Sequence, residues 1–100
     1  MCTYTTVQAE IDGSGKGPGG AWRPITDATV YFDHPVHAPH EHTLNIDLTN
    51  STNAPGDRIA LELSAQSARR LIAAIEAALH AVPADLLDAV PADVAHGAPA

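Results

Sequence analysis

The sequence has little cysteine, few basic residues and no long apolar run, and each shortage excludes a class of protein. Because Cys2 is the single cysteine among the 100 residues, neither an internal disulfide nor a cysteine-rich zinc site can form. Five lysine and arginine residues stand against twelve aspartate and glutamate residues, which gives a net charge of −7. This balance argues against nucleic acid and anionic membranes as partners, since both need basic patches.

The apolar segments are also too short for a membrane span or a signal peptide. The longest run, residues 71–79, is interrupted by Glu76, whereas a spanning helix needs about 20 apolar residues. The N-terminal segment has neither a basic region nor an apolar stretch, so we expect no signal peptide and a cytoplasmic location.

The composition is that of one small globular domain. Hydrophobic residues make up 45% of the chain and charged residues 17%, and 100 residues suffice for one independently folding core. We expect a single α+β domain over residues 1–82. Residues 83–100 are predicted to form a short helical turn and a disordered tail rich in Ala, Pro and Gly.

Apolar and polar residues alternate in four segments, which is the period of a half-buried strand. The predicted strands cover residues 3–11, about 27–34, 42–48 and 58–63. The glycine-rich segment 13–20 is predicted to be a flexible hairpin loop, and residues 49–57 are predicted to be a turn.

A helix is predicted after the last strand. Ser64 is a suitable N-cap because its hydroxyl accepts a hydrogen bond from an amide of the first turn, and Pro83 ends the helix. An apolar stripe follows at helical spacing: Ala68, Leu71, Ile72, Ile75, Leu79 and Val82. The order of elements predicts the α+β class, with a four-stranded antiparallel sheet and one C-terminal helix packed on one face.

The sheet face turned away from this predicted helix is polar but carries little charge. Its residues are mostly Thr and Tyr: Tyr4, Thr6, Gln8, Thr29, Tyr31, Thr43 and Asn45. Such a face can lie in water or against a second copy of the chain. In addition, a single helix is too narrow to cover the whole opposite face of a four-stranded sheet. We therefore expect a homodimer.

Four of the six histidines fall within nine residues, between the second and third predicted strands. Pairing Phe32 with Leu44 sets the inward residues of one strand against the inward residues of the next. The same register places His34 directly opposite His42, where opposed Cβ atoms are about 4.5–5.5 Å apart. Two imidazoles at this separation can converge on one metal ion.

The loop between these strands supplies further ligands, because it contains His37 and His40 and is stiffened by two prolines. All-nitrogen ligation suits a divalent transition metal, namely zinc, copper, nickel or iron. Three histidine ligands with an open coordination position would form a catalytic centre, whereas four histidine ligands would form a structural site. The sequence therefore leaves open whether this metal-binding protein is an enzyme. Asp33 and Glu41 are candidates to hydrogen-bond the histidine rings and fix their tautomers.

Other interpretations of the histidines remain open. A polar hairpin loop can carry histidines that contact only solvent, and imidazoles also serve acid–base chemistry or pH sensing. The alternative function is a non-catalytic homodimeric module that binds a small molecule, or acts as an accessory protein, through the Thr- and Tyr-rich face.

Two further features give weaker signals. Lys16 lies in a glycine-rich segment, but no Ser or Thr follows it and no helix follows the segment, so the sequence does not predict a phosphate-binding loop. Cys2 is interpreted as an inert or oxidisable surface thiol.

Four segments of the chain together resemble a small uncharacterised actinobacterial protein family. They are Met1-Cys2-Thr3-Tyr4-Thr5-Thr6, Gly13-Ser14-Gly15-Lys16-Gly17, Tyr31-Phe32-Asp33-His34-Pro35 and Glu62-Leu63-Ser64. The likeness spans most of residues 1–80. It implies no activity, and it therefore supplies neither a substrate nor catalytic residues.

Overall fold

A computed structural model describes residues 4–52 and 58–87 of the chain. Its strands and helices are β1 (Thr6–Lys16), β2 (Trp22–Asp33), β3 (Thr43–Thr49), β4 (Ile59–Leu63), α1 (Ala65–His80) and α2 (Ala84–Leu87). The α+β prediction of a four-stranded antiparallel sheet with one C-terminal helix is confirmed. Three of the sequence predictions concern residues outside the described ranges. They are the role of Cys2, the part of the predicted turn over residues 53–57, and the predicted tail from residue 88 onwards.

The strands follow one another in the sheet in chain order, β1-β2-β3-β4, and each neighbouring pair is antiparallel. By compactness the chain divides into two units, Met1–Ala68 and Arg69–Ala100, with the boundary inside α1. The first unit therefore contains the whole sheet and the first turn of α1. No helix within 4–52 and 58–87 has the length and apolar character that a membrane span needs.

The register predicted for the hairpin of β2 and β3 is confirmed. Phe32 pairs with Leu44, and the pairing continues regularly along both strands from Asp33–Thr43 to Asp27–Thr49. The alternation of apolar residues was sufficient to fix this register, because a slip by one residue would turn every apolar side chain to the opposite face.

The prediction of a flexible loop over 13–20 is wrong for its first half. Residues 13–16 belong to β1 and pair with β2, ending at Lys16 opposite Trp22. A shift in register between Glu10 and Gly13 marks a β-bulge, which lets the strand continue past the end of its alternating pattern. The true turn is the short 3-10 segment Pro18–Gly20, where two glycines adopt positive φ angles that other residues rarely take.

The sheet curls so that its two edge strands approach each other. A Cβ atom added to Gly15 on β1 would lie 2.7 Å from Cδ1 of Ile59 on β4 and 3.1 Å from Cγ1 of Ile25 on β2. Ile25 and Ala28 are the buried apolar residues at this end of the sheet. A side chain at position 15 would therefore require the side chains of Ile59 and Ile25 to move.

The helix α1 begins as predicted. The Ser64 hydroxyl accepts a hydrogen bond from the backbone N–H of Ser67 at 3.1 Å, which is the geometry of an N-cap. The helix ends at His80, slightly before the predicted end, and the short α2 follows Pro83. None of the side chains of α1 is buried.

Candidate functional site

The polar face of the sheet carries the candidate site. Backbone pairing aligns three of its side chains in one row across the sheet, with Tyr31 on β2, Asn45 on β3 and Glu62 on β4. Asp47 lies on the same face in the next row, because side chains two positions apart on a strand point to the same side. The four residues therefore form a polar patch that crosses three strands.

The histidine loop, residues 34–42, is anchored to this face by Glu62. The backbone N–H groups of Val36, His37 and Ala38 all donate to the Glu62 carboxylate, with distances of 2.9 Å from His37 and 2.7 Å from Ala38 to Oε1. Successive amides of this kind form a small concavity that binds an anion. These hydrogen bonds, that of Ala38 foremost, hold the pKa of Glu62 below its usual value of 4.5.

On β3, the side chains of the polar face are more deeply buried than those of the apolar face. Thr43 is fully buried and Asn45 is only 5% exposed, whereas none of the apolar side chains of β3 is classed as buried. The Thr43 hydroxyl donates to Oδ1 of Asn45 at 2.6 Å, which meets the need of a buried polar group for a partner. This bond also fixes the orientation of the Asn45 amide.

Tyr31 and Asp47 form a second polar pair beside these two buried residues. The Tyr31 hydroxyl donates to Oδ2 of Asp47 at 3.1 Å. Burial raises the pKa of the Tyr31 phenol, and the hydrogen bond to Asp47 raises it further, while the nearby positive charge of Arg58 acts in the opposite direction. Tyr31 is therefore held as the neutral hydroxyl near neutral pH.

These groups surround a groove of about 670 Å³ between the sheet face and the beginning of the histidine loop. The sheet contributes polar side chains from three strands, and the loop contributes residues from His34 to Ala38. The polar and charged groups of the lining are Tyr31, Asp33, His34, His37, Asn45, Asp47, Arg58 and Glu62. The groove is thus lined by carboxylates, with one guanidinium group beside them.

The rings of His34 and His42 lie against each other, as the predicted register requires. They lie where the loop leaves β2 and enters β3, and not at the floor of the groove. Their rings are stacked with centroids 4.5 Å apart, and the His42 ring also stacks on Phe32 at 5.7 Å. Nδ1 of His34 lies 2.8 Å from the carbonyl oxygen of Glu41. Because a carbonyl oxygen only accepts, Nδ1 is the donor in this hydrogen bond.

The other predicted site residues make hydrogen bonds that involve the loop backbone. His37 donates its backbone N–H to Glu62, and the backbone N–H of His40 donates to the carbonyl of Ala38 at 2.9 Å. Asp33 accepts from the backbone N–H of His34 at 2.7 Å. Across residues 4–52 and 58–87, no three or more His, Cys, Asp or Glu side chains are grouped so that they could hold a metal ion.

Glu62, Asp47 and Arg58 are the site residues that sequence reasoning did not single out, whereas Tyr31 and Asn45 were placed on the Thr- and Tyr-rich face. The alternation of β4 placed Glu62 on the outward face, but its loop partners are 24 to 26 residues away along the chain and no spacing rule connects them. A signal was nevertheless present, because Glu62 is the only charged residue within β4, and the structure pairs it with Asn45.

Comparison with known proteins gives a family but no activity. No curated protein and no solved structure matches the chain. A family model does match it, over residues 1–88, and therefore covers the whole sheet, the histidine loop and both helices. The chain belongs to DUF6295, a family of unknown function.

Proposed function

We propose that the protein is a non-catalytic module that binds a small polar molecule in the groove on the polar face of its sheet. The observation that carries this proposal is the convergence of Tyr31, Asp47 and Arg58 on a concave surface whose floor, Asn45, is almost completely buried. Ligand sites typically have volumes of about 300–1,000 Å³ and a few placed polar groups. The groove, at about 670 Å³, falls within that range.

The groove is organised before any ligand arrives. Its loop wall is fixed by three hydrogen bonds to Glu62, and its floor by the bond from Thr43 to Asn45. A site whose side chains and loop are already ordered loses less conformational entropy when it binds. This order supports a binding role over that of a loop which merely contacts solvent.

The chemistry of the lining restricts the ligand. Glu62 uses both carboxylate oxygens on backbone amides, so it serves as part of the wall. Within residues 4–52 and 58–87 the Asp47 carboxylate accepts from the Tyr31 hydroxyl, and Arg58 offers several donors. We expect a ligand with at least one hydrogen-bond donor for Asp47 and one acceptor for Arg58.

The test is a screen of small polar molecules against the wild-type chain by ligand-observed NMR, followed by titration of the hits. Tyr31→Phe and Asp47→Asn should each weaken a hit by about tenfold or more, because hydrogen bonds to charged groups contribute about 1.5–3 kcal/mol. Tyr4→Phe is the matched control, since Tyr4 contacts Phe32 and His42 and does not line the groove. Hits that weaken equally in all three variants would contradict the proposal.

A metal-binding function is the second candidate. It is favoured by the His34–His42 ring pair and by the contact of the His34 Nδ1 with a backbone carbonyl, a contact that histidine ligands of metals commonly make. The pair would supply two nitrogens to zinc, copper, nickel or iron, and His37 or His40 would complete the set. An open coordination position would make such a centre catalytic.

Metal analysis of untagged protein tests this candidate separately. The hypothesis predicts stoichiometric metal that is lost in the His34→Ala, His42→Ala double variant and retained in His80→Ala, whose histidine lies at the end of α1. Protein that contains no metal after purification, and gains no thermal stability when zinc, copper, nickel or iron is added, would exclude it.

A further inference from the structure

The helix α1 presents an apolar stripe whose exposure is unusual for a small domain. Ile72, Ile75 and Leu79 are 56%, 52% and 52% exposed, and the neighbouring Leu71 is 39% exposed. Soluble monomers rarely leave a contiguous row of large aliphatic side chains in water. The stripe therefore needs a partner surface.

The spacing of the stripe is that of a coiled coil. Ala68, Ile72, Ile75 and Leu79 are separated by four, three and four residues, which is the alternation of the a and d positions of a heptad. Ile72 and Leu79 then occupy a positions, and Ala68 and Ile75 occupy d positions. A helix with this pattern fits another helix with the same pattern by knobs-into-holes packing.

The charges beside the stripe specify the orientation of that second helix. Arg69 and Glu76 occupy the two e positions of the helix, and they have opposite charges. When two identical helices pack antiparallel, e positions of one face e positions of the other, so each Arg69 meets the partner's Glu76. In a parallel pair the e positions would face Leu71 and Ala78, and no charge would be matched.

We infer that α1 is a self-association surface, on which two copies of this chain pair their α1 helices antiparallel about a two-fold axis between Ile72 and Ile75. A two-fold contact is self-complementary, and a single chain supplies both halves of the ion pair. This inference goes beyond the proposed ligand site, which uses the sheet and the histidine loop.

The length of the helix limits the strength of the dimer. α1 has 16 residues and is therefore about 24 Å long, which allows only about two heptads of contact. Such a contact is smaller than the interfaces of obligate dimers. We therefore expect a reversible dimer, whose monomer–dimer equilibrium is measured by sedimentation.

Charge reversal in the full chain tests the pairing and its orientation. In sedimentation equilibrium experiments, Arg69→Glu and Glu76→Arg should each raise the dissociation constant about tenfold, because each change sets like charges opposite each other twice. The double variant Arg69→Glu, Glu76→Arg should restore it to within about twofold. Arg70→Glu is the matched control, with the same change of charge at a position that faces away from the pair.

A core variant keeps the test independent of the charges. Ile72→Asp should abolish dimers, whereas Ala73→Asp, one position further along the helix and outside the stripe, should leave them intact, with circular dichroism used to check that both variants retain the helix. A wild-type chain that stays monomeric at all concentrations would overturn the inference, and would indicate that the chain's own sheet or a different macromolecule covers the stripe. Equal effects of Arg69→Glu and Arg70→Glu, or no rescue in the double variant, would overturn it as well.

Discussion

Glu62 connects two parts of the chain that are far apart in sequence. One carboxylate binds three consecutive amides of the histidine loop, and the same residue stands opposite Asn45 at the floor of the groove. The side chain thereby holds the loop at the edge of the groove without contributing a free oxygen to it. Its role is structural, and it depends on the carboxylate being ionised.

Removing the charge of Glu62 should make the stability of the protein less dependent on pH in the acid range. Because the folded state lowers the pKa of Glu62 below 4.5, its contribution is fully present above that value and is lost as the pH falls through the folded pKa. In urea unfolding, Glu62→Gln should be less stable than wild type at pH 6, and the difference should shrink towards pH 3. A difference that stays constant over this range would contradict the anchoring role.

Tyr31 reports on the electrostatics of the groove itself. Burial and the bond to Asp47 raise its pKa above 10.0, so Asp47→Asn should lower that pKa, while burial should still keep it above 10.0. The chain has two tyrosines, and a Tyr4→Phe background leaves tyrosinate absorbance to Tyr31 alone. An Asp47→Asn variant with an unchanged titration would show that the Tyr31–Asp47 bond is absent in solution.

Among the secondary-structure elements, the hairpin of β1 and β2 shows how far the alternation of apolar and polar residues predicts a strand. Alternation predicted the inward face of each strand, and the structure pairs the inward residues Val7 with Val30 and Ala9 with Ala28. Beyond Glu10 the pattern ends in glycines, and the local composition then predicts a loop. The strand continues there because pairing with β2 and the close approach of β4 favour it, and neither effect is visible from the segment itself.

The curl of the sheet can be tested at two glycines of β1. Gly15→Val should destabilise the protein by about 1–3 kcal/mol, because the new side chain meets Ile59 and Ile25 in a packed contact. Gly13→Val should have little effect or should stabilise the strand, because a Cβ at Gly13 has nothing within 4 Å. If both variants had the same free energy of unfolding, β1 and β4 would not approach each other at Gly15, and the sheet would not be curled.

Much of the histidine hairpin was also predictable, and the groove beside it was not. The period of two in β2 and β3 was enough to place His34 opposite His42. The path of the loop between them depends on hydrogen bonds to Glu62, which is distant in the sequence. Thr43 and Asn45 are buried on the sheet face beside this loop. Sequence reasoning placed this polar face in water or against a second copy, whereas the structure buries Thr43 and Asn45 at its centre within the chain itself.

For the whole molecule, the site and the self-association surface lie on different elements. The groove is built from β2, β3, β4 and the histidine loop, all within the first compact unit. The apolar stripe belongs to α1, mostly in the second unit. Ligand binding and dimerisation can therefore be removed independently, by Asp47→Asn and Ile72→Asp, and each variant should keep the property that the other one loses.

Ligand binding to the polar face can be tested by mapping the backbone amide chemical shifts during titration with a hit from the small-molecule screen. If the groove binds the ligand, saturable shift changes should cluster at Tyr31, Asn45, Asp47 and Arg58 and fade towards β1. In an Asp47→Asn sample the same titration should require about tenfold more ligand to reach saturation. Shift changes centred on the glycine turn at Pro18–Gly20 or on α2, with none at the four groove residues, would contradict ligand binding in the groove.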